Sequence, residues 1–273
     1  MKALHPGRRM RRALAALLCA LLLAALSGCA ADRTGAYNRA IASFAAGEYE
    51  EAAAAFDKLK GFQQADTYAA YARGLTLYAT GDYAQAEPYF EQTQDFMYGK
   101  QRYVYCHADG QQQAGQFAQA AEGFTSLGQF EDAPMRAAYC TARDAEDQQA
   151  FETALFAYQD AGTYADAAAR LDNLQTQVYS HAKELKAAAQ YEEALKWFAL
   201  LGDYFDAQAQ ARDSKNFLRD QQYEQADALE SQGVLQQAYN LFVALSGYRD
   251  AEARAETLAG RLGIPLSGDE PEE

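Results

Sequence analysis

Among its 273 residues the chain has only five prolines, four cysteines, three histidines and one tryptophan. The histidines are too few and too scattered for a metal site, and no Cys-x-x-Cys, His-Glu-x-x-His or Asp-x-Asp-x-Asp-Gly spacing occurs. Gly-x-Ser-x-Gly and the Gly-rich phosphate loop are missing as well, which removes two common nucleophile and nucleotide signatures. Positive charge is also scarce, with 24 basic residues against 38 acidic ones. Five of those basic residues, Lys2, Arg8, Arg9, Arg11 and Arg12, lie within the first 28 residues, which hold no acid. The remainder therefore carries 19 basic and 38 acidic groups, a net charge of −19. Such a body is repelled by phosphate backbones and anionic headgroups, which argues against a nucleic-acid partner.

The chain also lacks an apolar run long enough to span a bilayer, for which about 20 residues are needed. Its longest, Ala13 to Leu26, has fourteen residues and follows the basic start. A basic beginning, a short apolar segment and a small-residue exit form a secretion signal. The exit, Leu26-Ser27-Gly28-Cys29, resembles the lipobox of bacterial lipoproteins. That resemblance implies cleavage after Gly28 and a diacylated Cys29 at the new amino terminus, holding the protein on the extracytoplasmic face of the membrane. If the envelope is Gram-negative, Ala30 after the cysteine implies the outer membrane. The competing reading is an uncleaved anchor, because Ala13 to Ala31 holds no charge.

What the chain does have is self-similarity. Tyr49, Tyr83, Phe117 and Phe151 are spaced by 34 residues; Tyr191 follows after 40 and Leu235 after 44. Three residues beyond each of these anchors stands Ala52, Ala86, Ala120, Ala154, Ala194 or Ala238. Seven beyond is a ring, at Phe56, Phe90, Phe124, Tyr158, Phe198 and Phe242, and six further on is another, at Phe62, Phe96, Phe130, Tyr164, Tyr204 and Tyr248. Twelve residues before each anchor is a tyrosine: Tyr37, Tyr71, Tyr105, Tyr139, Tyr179 and Tyr223. Nine before is a small residue: Ala40, Gly74, Ala108, Ala142, Ala182 and Ala226.

These offsets each fall on one face of a helix, so every unit is a pair of helices whose apolar stripes close only against neighbours. The small columns let helix axes approach to about 8–9 Å while a ring fills the space beside them. Gly47, Gly81 and Gly115 separate the two helices, and Gly128, Gly162 and Gly202 are expected to end the second in a left-handed cap. Asp132, Asp166, Asp206 and Asp250 are expected to cap the next helix through its free amides. Pro134 suits a first turn, and Pro88 lies inside a helix.

A 34-residue helical hairpin with these columns resembles the tetratricopeptide repeat. "GDYAQAEPYF" matches that family's second-helix signature through Gly81, Tyr83, Ala86 and Phe90, and Gly74 matches the glycine of its first helix. The family's tryptophan column falls here on Ala70, Val104 or Ala138, and its closing proline is replaced by a Leu-Gly-x-Tyr-x-Asp-Ala turn. The expected fold is all-α, an α-solenoid of about six hairpins. The expected organisation is a signal peptide at 1–28, a lipidated tether at 29–35, the repeat array at 36–262 and an acidic tail at 263–273.

Two readings of the tyrosine column stay open. The resemblance implies that Tyr71, Tyr105, Tyr139 and Tyr179 line a concave groove that holds a partner; the residues alone equally suit a ring that replaces the missing tryptophan in the core. Cys106 and Cys140 share one column in adjacent units, about 9–10 Å apart, too far for a disulfide. His107 and His181 sit in a column otherwise held by Arg39, Arg73, Thr141 and Gln225, which marks a solvated face. No catalytic constellation, metal site or cofactor is expected. The function expected is a non-enzymatic binding or scaffold lipoprotein that holds a protein or peptide. The alternative is a solute- or glycan-binding subunit of a transport or wall-processing complex.

Overall fold

The computed structural model describes residues 32–264. The expected signal peptide at 1–28, Cys29 and residues 265–273 of the expected tail lie outside the described residues. Among the described residues there are thirteen helices and no strand. They are α1 (residues 32–45), α2 (Tyr49–Asp57), α3 (Ala65–Ala79), α4 (Tyr83–Glu91), α5 (Gly99–Gln113), α6 (Phe117–Ser126) and α7 (Ala133–Asp147). Then follow α8 (Phe151–Ala161), α9 (Ala167–Ala187), α10 (Tyr191–Leu201), α11 (Ala207–Ser231), α12 (Leu235–Ala244) and α13 (Ala251–Leu262). Six hairpins and a closing helix make an α-solenoid-like array. Residues 32–35, expected in the tether, are already helical, so the first helix begins before the repeat pattern does.

The array divides into two compact units, one running to Gln148 with Asp160–Tyr164, the other comprising Gln149–Gln159 and the chain from Ala165 onward. In the first, each helix from α2 to α7 packs on the next; in the second, each from α9 to α13 does. The repeat columns are the reason. All six alanines three beyond the anchors and all six rings seven beyond them have no exposed surface. The small column is buried as well, and a Cβ built on Gly74 would lie 2.9 Å from the Phe90 ring, which shows how closely α3 and α4 meet. Pro88 stays inside α4, which keeps the nine-residue length of α2.

The uneven spacing of the anchors has one origin. The first helices α3, α5 and α7 have 15 residues each, whereas α9 has 21 and α11 has 25. The surplus of six and ten residues equals the excess of the 40- and 44-residue spacings over 34. It lies between the aspartate that begins each helix and its tyrosine: Asp132 and Tyr139 are seven apart, Asp166 and Tyr179 thirteen, Asp206 and Tyr223 seventeen. Neither surplus is a whole number of turns at about 3.6 residues each, so the two ends of α9 and α11 present different faces to their neighbours.

Two local expectations need correction. Asp132, Asp166, Asp206 and Asp250 do stand at the starts of helices, but none caps an amide with its side chain. Their φ near −100° and ψ of 12° to 21° are not the extended geometry of a capping residue. The first amide of α3, α5, α7, α11 and α13 is instead taken by the carbonyl of the ring residue three before it.

The glycine cap is also different. Gly128, Gly162 and Gly202 have positive φ, but at Gly202 ψ is −118°, the first central position of a II′ turn and not a left-handed cap. The left-handed residue comes later in the link, at Gln63, Met97, Glu131, Ala165, Phe205 and Arg249, with φ between 46° and 50° in every repeat. No sequence signal marks that position, because its six side chains share no chemistry.

Candidate functional site: the seam between successive first helices

The tyrosine column enters the core in the first unit. Tyr71, Tyr105 and Tyr139 are 2%, 1% and 6% exposed, and they meet Phe90, Phe124 and Tyr164 edge to face at 5.6, 5.5 and 5.3 Å. Between core and groove, the burial places these three rings in the core, where a partner cannot reach them. Tyr179 is half-buried against Phe198 and the exposed Phe205. The four rings therefore do not make one exposed ladder.

Their hydroxyls explain the misassigned aspartates. Tyr105 donates to Asp132 at 2.5 Å, Tyr179 donates to Asp206 at 2.5 Å, and Tyr223 donates to Asp250. Each pair is 27 residues apart and ties one repeat to the next. Where the aspartate position holds Tyr98, the Tyr71 hydroxyl accepts from the Tyr98 amide at 3.3 Å and from Arg102 Nη1 at 2.8 Å. Burial, then the bond to Asp132, pushes the Tyr105 hydroxyl well above its ordinary value. At the exposed Asp206 the hydrogen bond from Tyr179 leads in holding the carboxyl below its own.

A second 27-residue register runs along the seam between successive first helices. Asp109 on α5 accepts from Arg136 on α7 at 2.5 Å, and Asp132 receives the same guanidinium at 3.1 Å. Arg136 and Asp109 are 9% and 6% exposed, so this is a buried ion pair. Burial alone would lower the arginine's pKa, but neighbouring Tyr105 and the bond to Asp109 outweigh it and hold the value up. Asp227 on α11 meets Arg254 on α13 at 2.7 Å, with Glu230 joining at 2.6 Å.

Within the units three seams break the pattern, and the first of them, α1–α3, is apolar, with Ile41 and Tyr68 at the paired positions. Between α3 and α5 the aspartate is replaced by Leu75 and the helix-start acid by Tyr98, so Arg102 Nε is buried with no hydrogen-bond partner. Between α9 and α11 the acid is replaced by Lys183 and the arginine by Gln210. There a crevice of about 320 Å³ stays open, lined by Lys183, Lys186, Ala187, Tyr191, Gln210 and Phe217. Tyr191 and Phe217 stack on one another with centroids 5.1 Å apart and planes 20° apart. Lys186 reaches Gln210 at 2.7 Å and Asp213 at 3.3 Å. Lys183 lies 5.6 Å over the Tyr179 ring and makes no ion pair among the described residues. Another hollow of about 400 Å³, between α2, α3 and α4, is spanned by the chain's own Arg73–Asp57 pair.

The remaining reactive side chains sit in structural surroundings. Cys106 and Cys140 are free and buried, and burial pushes both thiols up to about 12, far from a nucleophile at neutral pH. His107 bonds to Glu87 at 2.8 Å on the surface and His181 packs on Trp197. No family model and no curated protein matches this chain.

Proposed function

We propose that the chain is a tetratricopeptide-like lipoprotein, anchored by lipid on Cys29 at the extracytoplasmic membrane face, that binds or scaffolds a protein or peptide partner without catalysis. The observation that carries this reading is the large apolar side chains turned outward at one link between hairpins in each unit. Met97 and Tyr98 in the first unit are 53% and 59% exposed, and Phe205 in the second is 76% exposed. Met97 and Phe205 occupy the same left-handed position of their repeats. Exposed rings and methionines cost solubility unless a partner covers them, and they are the residue types enriched at protein interfaces. The acidic body disfavours nucleic acid and any uniformly acidic partner.

Photo-cross-linking residues at Met97 and Phe205 in the membrane-bound protein test the reading. Discrete protein adducts at these positions, and none from an exposed polar control such as Gln101, are expected; their absence overturns it. Palmitate labelling lost in Cys29→Ala is the expected result for the anchor, and labelling that survives refutes it.

A further inference from the structure

The α3–α5 and α9–α11 seams, which lack the ion pair but keep a cation, differ in what they leave behind. At Arg102 the guanidinium is packed among rings, with Tyr71, Tyr78, Tyr98 and Phe130 all within 6.0 Å of it, and little room remains. At α9–α11 the arginine itself is missing. In the α5–α7 and α11–α13 seams its long side chain bridges the two helices and finds carboxylates on the first. Gln210 is too short and uncharged to do so; its amide instead donates to Asp206 at 2.9 Å. The first helix meanwhile offers Lys183 and Lys186 where the α5–α7 seam offers Asp109 and Gln112 and the α11–α13 seam Asp227 and Glu230.

The result is a hollow with ammonium groups on one wall and a stacked aromatic pair beside them. The charges facing it can be counted. Asp206 is engaged by the Tyr179 hydroxyl and Gln210, and Asp213 answers Lys186 from an exposed position. Lys183 makes no ion pair among the described residues; it acts on the Asp206 carboxylate only through space, and that carboxylate is already held by Tyr179 and Gln210.

We infer that the α9–α11 crevice is the docking point for an acidic segment of the protein partner, one that places a carboxylate on Lys183 and Lys186 and a neighbouring aromatic side chain on Phe217. The inference rests on the binding reading above and specifies its partner. A carboxylate there restores, in trans, the ion pair that the chain makes for itself at Asp109–Arg136. The size fits, since side-chain pockets of a few hundred Å³ are usual for small ligands and anchor residues. A carboxylate between two ammonium groups also makes charge-assisted bonds stronger than neutral ones.

The test is a titration of the full-length chain in detergent with the dipeptide acetyl-Phe-Glu-amide, following the ring resonances of Phe217 and Tyr191. Saturable shifts are expected, weakened by added salt. Acetyl-Phe-Gln-amide and acetyl-Ala-Glu-amide are each expected to bind about tenfold more weakly, the loss of one charged hydrogen bond or one buried ring. Equal shifts with all three, or none, overturn the inference. A second arm closes the crevice from within: Lys183→Asp and Lys186→Gln together with Gln210→Arg rewrite this seam as the α5–α7 seam. That variant is expected to keep its melting temperature and lose dipeptide binding; retained binding in the folded variant overturns the inference. If its cross-links at Met97 and Phe205 persist unchanged, the partner docks elsewhere and only this inference falls. If dipeptide binds but no cross-linked partner exists, the scaffold reading falls instead.

Discussion

Helix α7 in the first unit and helix α11 in the second hold equivalent places in the repeat and behave differently. In 15 residues α7 buries seven: Ala133, Arg136, Ala137, Tyr139, Cys140, Ala142 and Ala145. In 25 residues α11 buries three, Ala207, Ser214 and Ala226, and Ser214 keeps a buried hydroxyl with no partner. Both obey the same columns at their ends. The ten extra residues of α11 extend it by about 15 Å beside a second helix, α12, of only ten residues. Extra length therefore adds surface without core. The repeat tolerates insertion inside its first helix because the 27-residue link from each tyrosine to the next aspartate lies downstream of it. Tyr105–Asp132 and Tyr223–Asp250 survive alike on either side of the change.

The contrast is sharpest at the two clasps. Arg136→Ala strands Asp109 as a buried, unpaired charge and is expected to cost about 3–5 kcal/mol. Arg254→Ala, at a more solvated clasp, is expected to cost about 1 kcal/mol. Urea unfolding combined with residue-resolved hydrogen exchange separates the two units; equal losses would erase the distinction.

Next in size is Gly99→Ala. A Cβ there would collide with the Thr93 carbonyl oxygen, although the other repeats hold alanine at this position. The collision is backbone against Cβ, so a cost of about 2–3 kcal/mol is expected. Ala207→Gly, the reverse exchange in the second unit, is expected to cost about 1 kcal/mol, through backbone entropy. Thermal melts of both variants decide whether the first unit is the more tightly constrained.

Smaller still is removal of one hydroxyl. Tyr105→Phe is expected to cost about 1–2 kcal/mol, because it leaves Asp132 short of a buried donor. Tyr179→Phe, at a solvated position, is expected to cost about 0.5 kcal/mol. A similar loss at both would show that burial does not separate these two rings.

A separate effect appears only in alkali. Buried Cys106 and Cys140 hold their protons up to about 12, above the ordinary thiol value of 9.0. An unfolded chain releases those protons first, so their contribution is complete below about pH 9 and lost as pH rises towards 12. Both cysteines lie in the first unit, so amide exchange there should accelerate over that range more than in α9–α13. Cys106→Ala with Cys140→Ala should flatten the difference, and an unchanged profile would assign it to the tyrosines.

Several features were open to reading in one dimension. Helix pairing, the alanine columns and the fully buried rings follow from spacing, because 3.6 residues per turn makes a recurring offset a recurring face. That Cys106 and Cys140 do not pair follows from the same column logic. The aspartates did not. Asp132 sits where a capping residue belongs, and only the approach of Tyr105 from the preceding hairpin draws its carboxylate away. The left-handed residue in every link was equally hidden, since Phe205 and Ala165 carry no signal for positive φ. The open crevice at Lys183 and Gln210 was legible only once the Asp109–Arg136 contact showed which residues face each other.

By itself, then, the order of amino acids determined a repeating pair of helices, the small and aromatic positions at which they touch, and where extra residues could enter. Periodicity is a local property, written within one unit. The tertiary structure alone decided which tyrosines lie buried, which carboxylate each hydroxyl and arginine holds, and which seam is left unfilled. Those outcomes depend on side chains 24 to 31 residues away, whose meeting is set by how one hairpin seats on the next.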